Sequence, residues 1–238
     1  MDKARILAEA TGAWLHYEFA CGRSALFNER YLSVPIANAL FSIYGKKVHS
    51  EYRHPVLAPE MTGRGRRPEI DFAVVDHYPS LFVALESKWV GRNGLAAEEL
   101  LWDLIRLELI AHHTNATAYF LLAGRERHLR TFYSSPPFLG KPTKAGKYRR
   151  LLKLDHRRNP RIRIDTPAED RKATLKKLLS PYQDLSFPTR ITTSRGYSYP
   201  QECPTFQYRV YVWEVLAPAG TARFLPKNTK LYKAQNGS

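Results

Sequence analysis

Cysteine is nearly absent. Cys21 and Cys203 are the only two among 238 residues and stand in no C-x-x-C pair, which excludes a cysteine-ligated zinc site and a disulfide framework, and makes a reduced, cytoplasmic setting the expectation. No apolar run approaches the roughly 20 residues of a membrane span, and the N-terminal Met1-Asp2-Lys3-Ala4-Arg5 opens no signal-peptide core, so no membrane partner is expected. The chain has no internal repeat, no glycine-rich loop of the nucleotide-hydrolase type, no zinc finger and no helix-turn-helix pattern. The eight histidines cluster only at His112-His113, where the C-terminal end of a helix macrodipole accounts for them. Acidic residues are scarce in one half. Residues 121–238 hold 24 Lys and Arg against 8 Asp and Glu, a net of +16, whereas residues 1–120 hold 13 against 14, a net of −1. The sum is a formal +15 with a pI near 9.9, a balance that points to nucleic acid, and less often to an anionic membrane, as partner.

Two apolar runs end in charge. Pro68-Glu69-Ile70-Asp71-Phe72-Ala73-Val74-Val75 is followed, after a short turn, by Leu81-Phe82-Val83-Ala84-Leu85-Glu86-Ser87-Lys88. Alternate residues of a strand share a face, so Glu86 and Lys88 point the same way, and Asp71 lies beside them if the two strands pair. Burying two carboxylates and an ammonium group at the edge of an apolar core costs several kcal/mol unless they are paired or bind a metal. The expected ligand is a hard divalent cation held by oxygen, Mg2+, with Mn2+ as a substitute. Asp170-Arg171-Lys172 has the same acid-x-Lys form without a preceding apolar run and reads as a solvated helix face. Glu69 competes with Asp71 for the ligand role. Asp71 is preferred because Ile70, Phe72 and Val74 read as one face and Asp71, Ala73 and Val75 as the other, where a ligand shares space with small residues.

These residues resemble the PD-(D/E)xK, restriction-endonuclease-like superfamily of nucleases, over about residues 24 to 124. Asp71 matches the first acid, Glu86 the second and Lys88 the lysine, while the family's Pro-Asp pair is altered, since Glu69 and Ile70 separate Pro68 from Asp71. The order of elements agrees. A helix is predicted over Leu26, Arg30, Ala37, Leu40, Phe41 and Tyr44, with Pro35 as a kink or restart; strands over Lys46 to Pro55, Glu69 to Asp76 and Leu81 to Val90; a helix over Ala96 to His113; and a buried strand over Thr117 to Ala123. Helix, three strands, helix and strand is the core that the resemblance implies, with the last two strands parallel neighbours. The resemblance also implies a glutamate on the first helix completing the metal site, for which Glu29 is the candidate, ahead of Glu18 and Glu51. The implied metal set is Asp71, Glu86, the Ser87 backbone carbonyl and Glu29, and Lys88 either handles the attacking water or steadies charge developing on the phosphate.

Arg64, Arg66 and Arg67 precede Asp71, and Lys141, Lys144, Lys147, Arg149 and Arg150 lie in a Gly- and Pro-punctuated basic stretch; both sets are expected to bind nucleic-acid phosphates. Thr166-Pro167-Ala168-Glu169 reads as a capping box opening a helix to about Leu179, with Leu175, Leu178 and Leu179 buried. The stretch from Phe206 to Trp213 reads as a long strand with both faces partly covered, and Tyr197 and Tyr199 as exposed rings open to base stacking.

The expected fold class is thus α/β, a restriction-endonuclease-like core with a mixed central β-sheet flanked by helices and a basic C-terminal α+β extension. Residues 1–135 form the nuclease core with N-terminal helices, and 136–238 the extension or a subdomain packed on it. The expected function is metal-dependent hydrolysis of DNA phosphodiesters by an endonuclease in restriction or other defence, junction resolution or repair. The alternative is a non-cleaving nucleic-acid-binding scaffold subunit with the same fold, and charge alone does not separate DNA from RNA. A homodimer or a place in a larger nucleic-acid-processing complex is compatible with this reading.

Overall fold

A computed structural model describes residues 2–57, 69–135, 138–139, 150–152, 161–194 and 196–233. Among the described residues five α-helices, α1 (Lys3–Ala20), α2 (Glu29–Tyr44), α3 (Ala97–Thr114), α4 (Glu126–Ser134) and α5 (Glu169–Leu179), accompany ten strands: β1 (Val48–Arg53), β2 (Glu69–Val75), β3 (Leu81–Val90), β4 (Thr117–Arg125), β5 (Arg161–Arg163), β6 (Phe187–Pro188), β7 (Arg190–Thr193), β8 (Tyr197–Tyr199), β9 (Tyr208–Leu216) and β10 (Arg223–Phe224). The protein is α/β, with a mixed central sheet flanked by helices.

The sheet runs β1-β2-β3-β4-β9-β7-β5, with β8 also on β9, and β6 and β10 form a separate ribbon. β3 and β4 are parallel, joined by α3, as the strand-helix-strand crossover requires; every other pairing is antiparallel. Two apolar layers cover the faces. On one side Leu7, Leu15, Leu32 and Ile36 of α1 and α2 pack on Phe72, Val74, Leu121 and Val212. On the other, Leu100, Leu104, Leu107 and Ile110 of α3 pack on Ala84, Phe120, Leu122 and Trp213 together with Leu129, Leu175 and Leu179. Each fully buried Leu or Ile stabilises the fold by about 1.5–3 kcal/mol relative to exposure, so these stripes, rather than intrinsic propensity, hold the helices.

The order of the last strands is set by β9. It pairs with β4 from Ala118↔Val215 to Arg125↔Tyr208, and its side chains alternate between the two layers, Val210 and Val212 on one and Tyr211, Trp213 and Val215 on the other. A strand inserted in the middle of a sheet is buried on both faces, which explains its continuous apolar character.

Four local expectations are corrected. Leu26 lies outside α2, in a 3-10 turn and 53% exposed, because the Asn28 side chain caps the helix by accepting from the Tyr31 N–H at 3.0 Å. The Thr166 box does not cap α5: the cap residue is Ala168, and the Thr166 hydroxyl donates to Asp165 Oδ1 instead. Phe206 precedes β9 and is exposed. Tyr199 packs so closely on α1 that a Cβ at Gly12 would stand 2.4 Å from its Cδ1, and Tyr197 packs in the same layer. Both rings are therefore partly buried packing residues rather than free stacking platforms.

One buried pair ties the ribbon to α3. Glu108 is 1% exposed and receives Arg223 Nη1 at 3.0 Å. Burial pushes its carboxyl up to about 7, against the opposing pull of Arg223. An unfolded glutamate titrates near 4.3, so the folded state holds the extra proton between those values. The group therefore lowers stability progressively as pH rises from about 4.3 to 7, with no further change above. Urea unfolding of the wild type and Glu108→Gln at pH 5 and 7.5 should show the parent losing more stability across that interval than the variant; parallel losses would disprove the assignment.

Candidate active site

β2 and β3 part company at the site. β2 stays paired with β1 as far as Arg53↔Glu69 and β3 with β4 as far as Val90↔Gly124, but the β2–β3 register ends at Phe72↔Leu85. The backbone is irregular here. Glu51, opposite Asp71, has a φ of 49° and is missing from the β1–β2 register. Ile70 consequently packs in the α3 layer with Ala73, while Phe72 and Val74 pack in the α1/α2 layer, so the simple alternation expected for Ile70, Phe72 and Val74 is broken at Asp71.

The fork gathers the charges. Asp71 Oδ2 accepts from the Ser87 N–H at 2.8 Å and from the Ser87 hydroxyl at 2.7 Å. A buried N–H with no ladder partner needs an acceptor, and Asp71 supplies it just where β2 and β3 separate. Glu86, 1% exposed, stands 2.6 Å from Arg106 Nη2, which also lies 2.6 Å from Asp103 Oδ1. Arg106 Nη1 donates to the Glu69 carbonyl at 3.0 Å, fixing the start of β2. Lys88 Nζ bridges the two helical layers, 2.9 Å from Glu29 Oε1 and 3.4 Å from Asp103 Oδ2. Glu29 is positioned by the Asn28 cap, which sets it in the first turn of α2.

Formally, Glu29, Asp71, Glu86 and Asp103 carry four negative charges against two positive charges on Lys88 and Arg106. Burial and then the Asp103 carboxylate push Glu86 well above the ordinary range, against Arg106. Burial likewise raises Asp103, with Arg106 and Lys88 opposing. For Lys88 burial acts downward, but Asp103 and Glu29 outweigh it and hold the ammonium above its usual value, so it stays protonated at neutral pH. Glu86 Oε1 and Asp103 Oδ2 are buried and accept no hydrogen bond, although each faces a cation.

Asp71, Glu86, Ser87, Lys88 and Glu29 thus converge, Glu29 on the ammonium of Lys88. Ser87 is engaged through its N–H and hydroxyl. Among the described residues no group of three or more His, Cys, Asp and Glu side chains is arranged to hold a metal ion. The rivals for the helix glutamate lie elsewhere. Glu18 is buried against Arg23 and Tyr31, locking α1 to α2, and Glu51 is exposed on β1. Arg64, Arg66, Arg67, Lys141, Lys144, Lys147 and Arg149 lie outside the described residues, and Arg150 is exposed beside buried Leu151. Asp103 and Arg106 were not anticipated. Their signal was available: Asp103 falls three residues after Leu100 and four before Leu107, a charge on the spacing of a buried stripe.

Fold and site together define an α/β protein with a charged network at a strand fork. Compared with known proteins, the chain matches no family model, no curated protein and no solved structure. Among the described residues no helix is long and apolar enough to cross a membrane.

Proposed function

We propose that the protein is a magnesium-dependent nuclease that hydrolyses DNA phosphodiesters as an endonuclease, built on a restriction-endonuclease-like core. The observation that carries the reading is the convergence of Asp71, Glu86 and Lys88 at the fork where β2 and β3 separate.

The residues suit a hard cation. The donors are carboxylate oxygens, Glu86 Oε1 accepts no hydrogen bond, and the cluster's formal excess of two negative charges equals the charge of one divalent ion. Magnesium takes one or two carboxylates and fills its remaining positions with water and phosphate oxygens, so Asp71 and Glu86 are the residues that would hold it, with the Ser87 carbonyl and Glu29 as the further ligands the reading assigns. Once bound, the cation would supply Lewis acidity and a more acidic water. Lys88, protonated, is placed to steady charge on the phosphate rather than to take a proton from water. Arg106, 2.6 Å away, draws the Glu86 carboxyl back toward its ionised form against burial and Asp103.

The test is incubation with supercoiled plasmid, linear duplex, single strands and a four-way junction, with and without magnesium. Metal-dependent cutting of at least one DNA substrate is expected; no cutting with magnesium or manganese would overturn the reading. Glu29→Ala is expected to lower activity partially, with recovery at raised magnesium or manganese if Glu29 adds a ligand. An unaltered metal dependence would confine it to orienting Lys88.

One observation favours a second reading, a non-cleaving nucleic-acid-binding scaffold: Asp71 and Glu86 already have partners, in Ser87 and Arg106. Titration calorimetry separates the two. Manganese binding lost in Glu86→Gln supports the nuclease, and absence of binding with DNA affinity intact supports the scaffold.

A further inference from the structure

The parallel strands β3 and β4 both end beside the fork, and the segments that follow them line a separate, cationic site. The turn after β3 is closed by the Gly94 N–H donating to the Gly91 carbonyl at 3.2 Å, with Gly94 at a φ of 76°, a value that favours glycine. It leaves Arg92 and Asn93 exposed at its tip. α4 starts directly after β4 and is held tightly to the end of β3: a Cβ at Gly124 would stand 2.7 Å from the Val90 carbonyl and 3.3 Å from Leu129. Between turn and helix lies a cavity of about 200 Å³ whose lining includes Arg92, Asn93, His128, Thr131 and Ser135. A single water needs about 10–15 Å³ of such space, so the cavity leaves room for a phosphate group.

The lining favours an anion. Arg127 Nε donates to His128 Nε2 at 3.2 Å, which orders the ring as a neutral acceptor. Burial, followed by Arg127, Arg125 and Arg92, lowers the His128 pKa, so three guanidinium groups act on one point. Two neighbouring acids are engaged: Glu98 receives Lys177 at 2.8 Å, and Glu126 receives Arg130 at 2.9 Å. Arg92 follows Lys88 by four residues, hence by no more than about 14 Å along the chain.

We propose that this cavity is a phosphate subsite, in which Arg92 of the lining and Arg127, held beside the cavity on His128, grip one backbone phosphate of the nucleic-acid strand whose scissile bond lies at Lys88. The site reads phosphodiester rather than base, so it adds affinity without sequence preference. Crevices outside the carboxyl ends of parallel strands are where α/β sheets bind ligands, and this cavity and the fork flank β3 on its two sides. The inference rests on the nuclease reading for its direction along the strand.

The test is fluorescence anisotropy with labelled duplex DNA and a matching RNA duplex, in EDTA, over a range of salt concentrations, for wild type and Arg92→Ala/Arg127→Ala. Both side chains are exposed, and an unchanged thermal midpoint verifies the fold. Loss of one phosphate contact should lower the salt slope by about 0.9 and weaken DNA binding about tenfold at 0.1 M salt. An unchanged slope in a protein that binds DNA overturns the subsite and leaves the nuclease reading standing. Absence of DNA binding by the wild type overturns both, and a slope change seen with RNA alone overturns the assignment to DNA.

Discussion

Lys88→Ala and Asp71→Ala should each abolish plasmid cleavage while leaving nucleic-acid affinity in EDTA within about twofold. The two losses have different origins. Lys88 contributes an ammonium whose pKa lies above its usual value despite burial, because Asp103 and Glu29 hold it charged; its removal takes away the cation nearest the place where phosphate charge would develop. Removing one such preorganised group typically costs 10²–10³ in rate, and loss of a metal ligand costs at least as much. Asp71 has a structural task too, since it satisfies the Ser87 N–H and hydroxyl. An alanine there leaves a buried donor without a partner at about 1–3 kcal/mol, so Asp71→Asn, which keeps an acceptor oxygen, is the companion variant. Single-turnover cleavage at saturating DNA gives the readout. Wild-type rates in Lys88→Ala, or in an Asp71→Asn protein that folds, would remove the site from the fork.

β2, β3 and β4 were legible because each is a short apolar run bounded by Gly, Pro or charge; β3 spans Leu81–Val90 as its pattern predicts. The charged cluster was legible in part for the same reason. Glu86 and Lys88 interrupt an apolar strand, and burial makes such an interruption expensive. Asp103 and Arg106 escaped because an α3 stripe of Leu100, Leu104, Leu107 and Ile110 accounts for the helix without them, and two charges on an otherwise amphipathic helix read as solvent-facing. The spacing puts Asp103 on the buried stripe, but its partners Arg106 and Lys88 meet it only in three dimensions, at the fork. The place of β9 beside β4 had no local signal at all. Its apolar run declares burial on both faces, but pairing partners some 90 residues apart in the chain are chosen by tertiary packing. The break in alternation at Ile70 came from the same source, a backbone irregularity in the neighbouring strand at Glu51.

Arg106 should prove the most expensive single side chain to remove. It is 12% exposed, lies 2.6 Å from both Glu86 and Asp103, and donates to the Glu69 carbonyl. Arg106→Leu leaves two buried carboxylates facing each other with only Lys88 to balance them, and breaking a buried ion pair from one side costs about 3–5 kcal/mol. The pH dependence follows from the direction of the shifts. Burial already raises both carboxyls, and Arg106 is the group that opposes the rise, foremost for Asp103 and after the Asp103 repulsion for Glu86. Without it their folded values climb further above the unfolded ones, so the variant's extra instability grows as pH rises through that interval and shrinks on acidification, where both carboxyls are neutral. Urea unfolding at pH 5.5 and 8.5 should therefore show a larger deficit at the higher pH. Adding Glu86→Gln and Asp103→Asn to Arg106→Leu should recover much of the loss at pH 8.5, because a network neutralised throughout no longer strands a charge in the core. A deficit below about 1 kcal/mol, or one independent of pH, would mean that solvent reaches the fork and that Glu86 is not held by Arg106 at all.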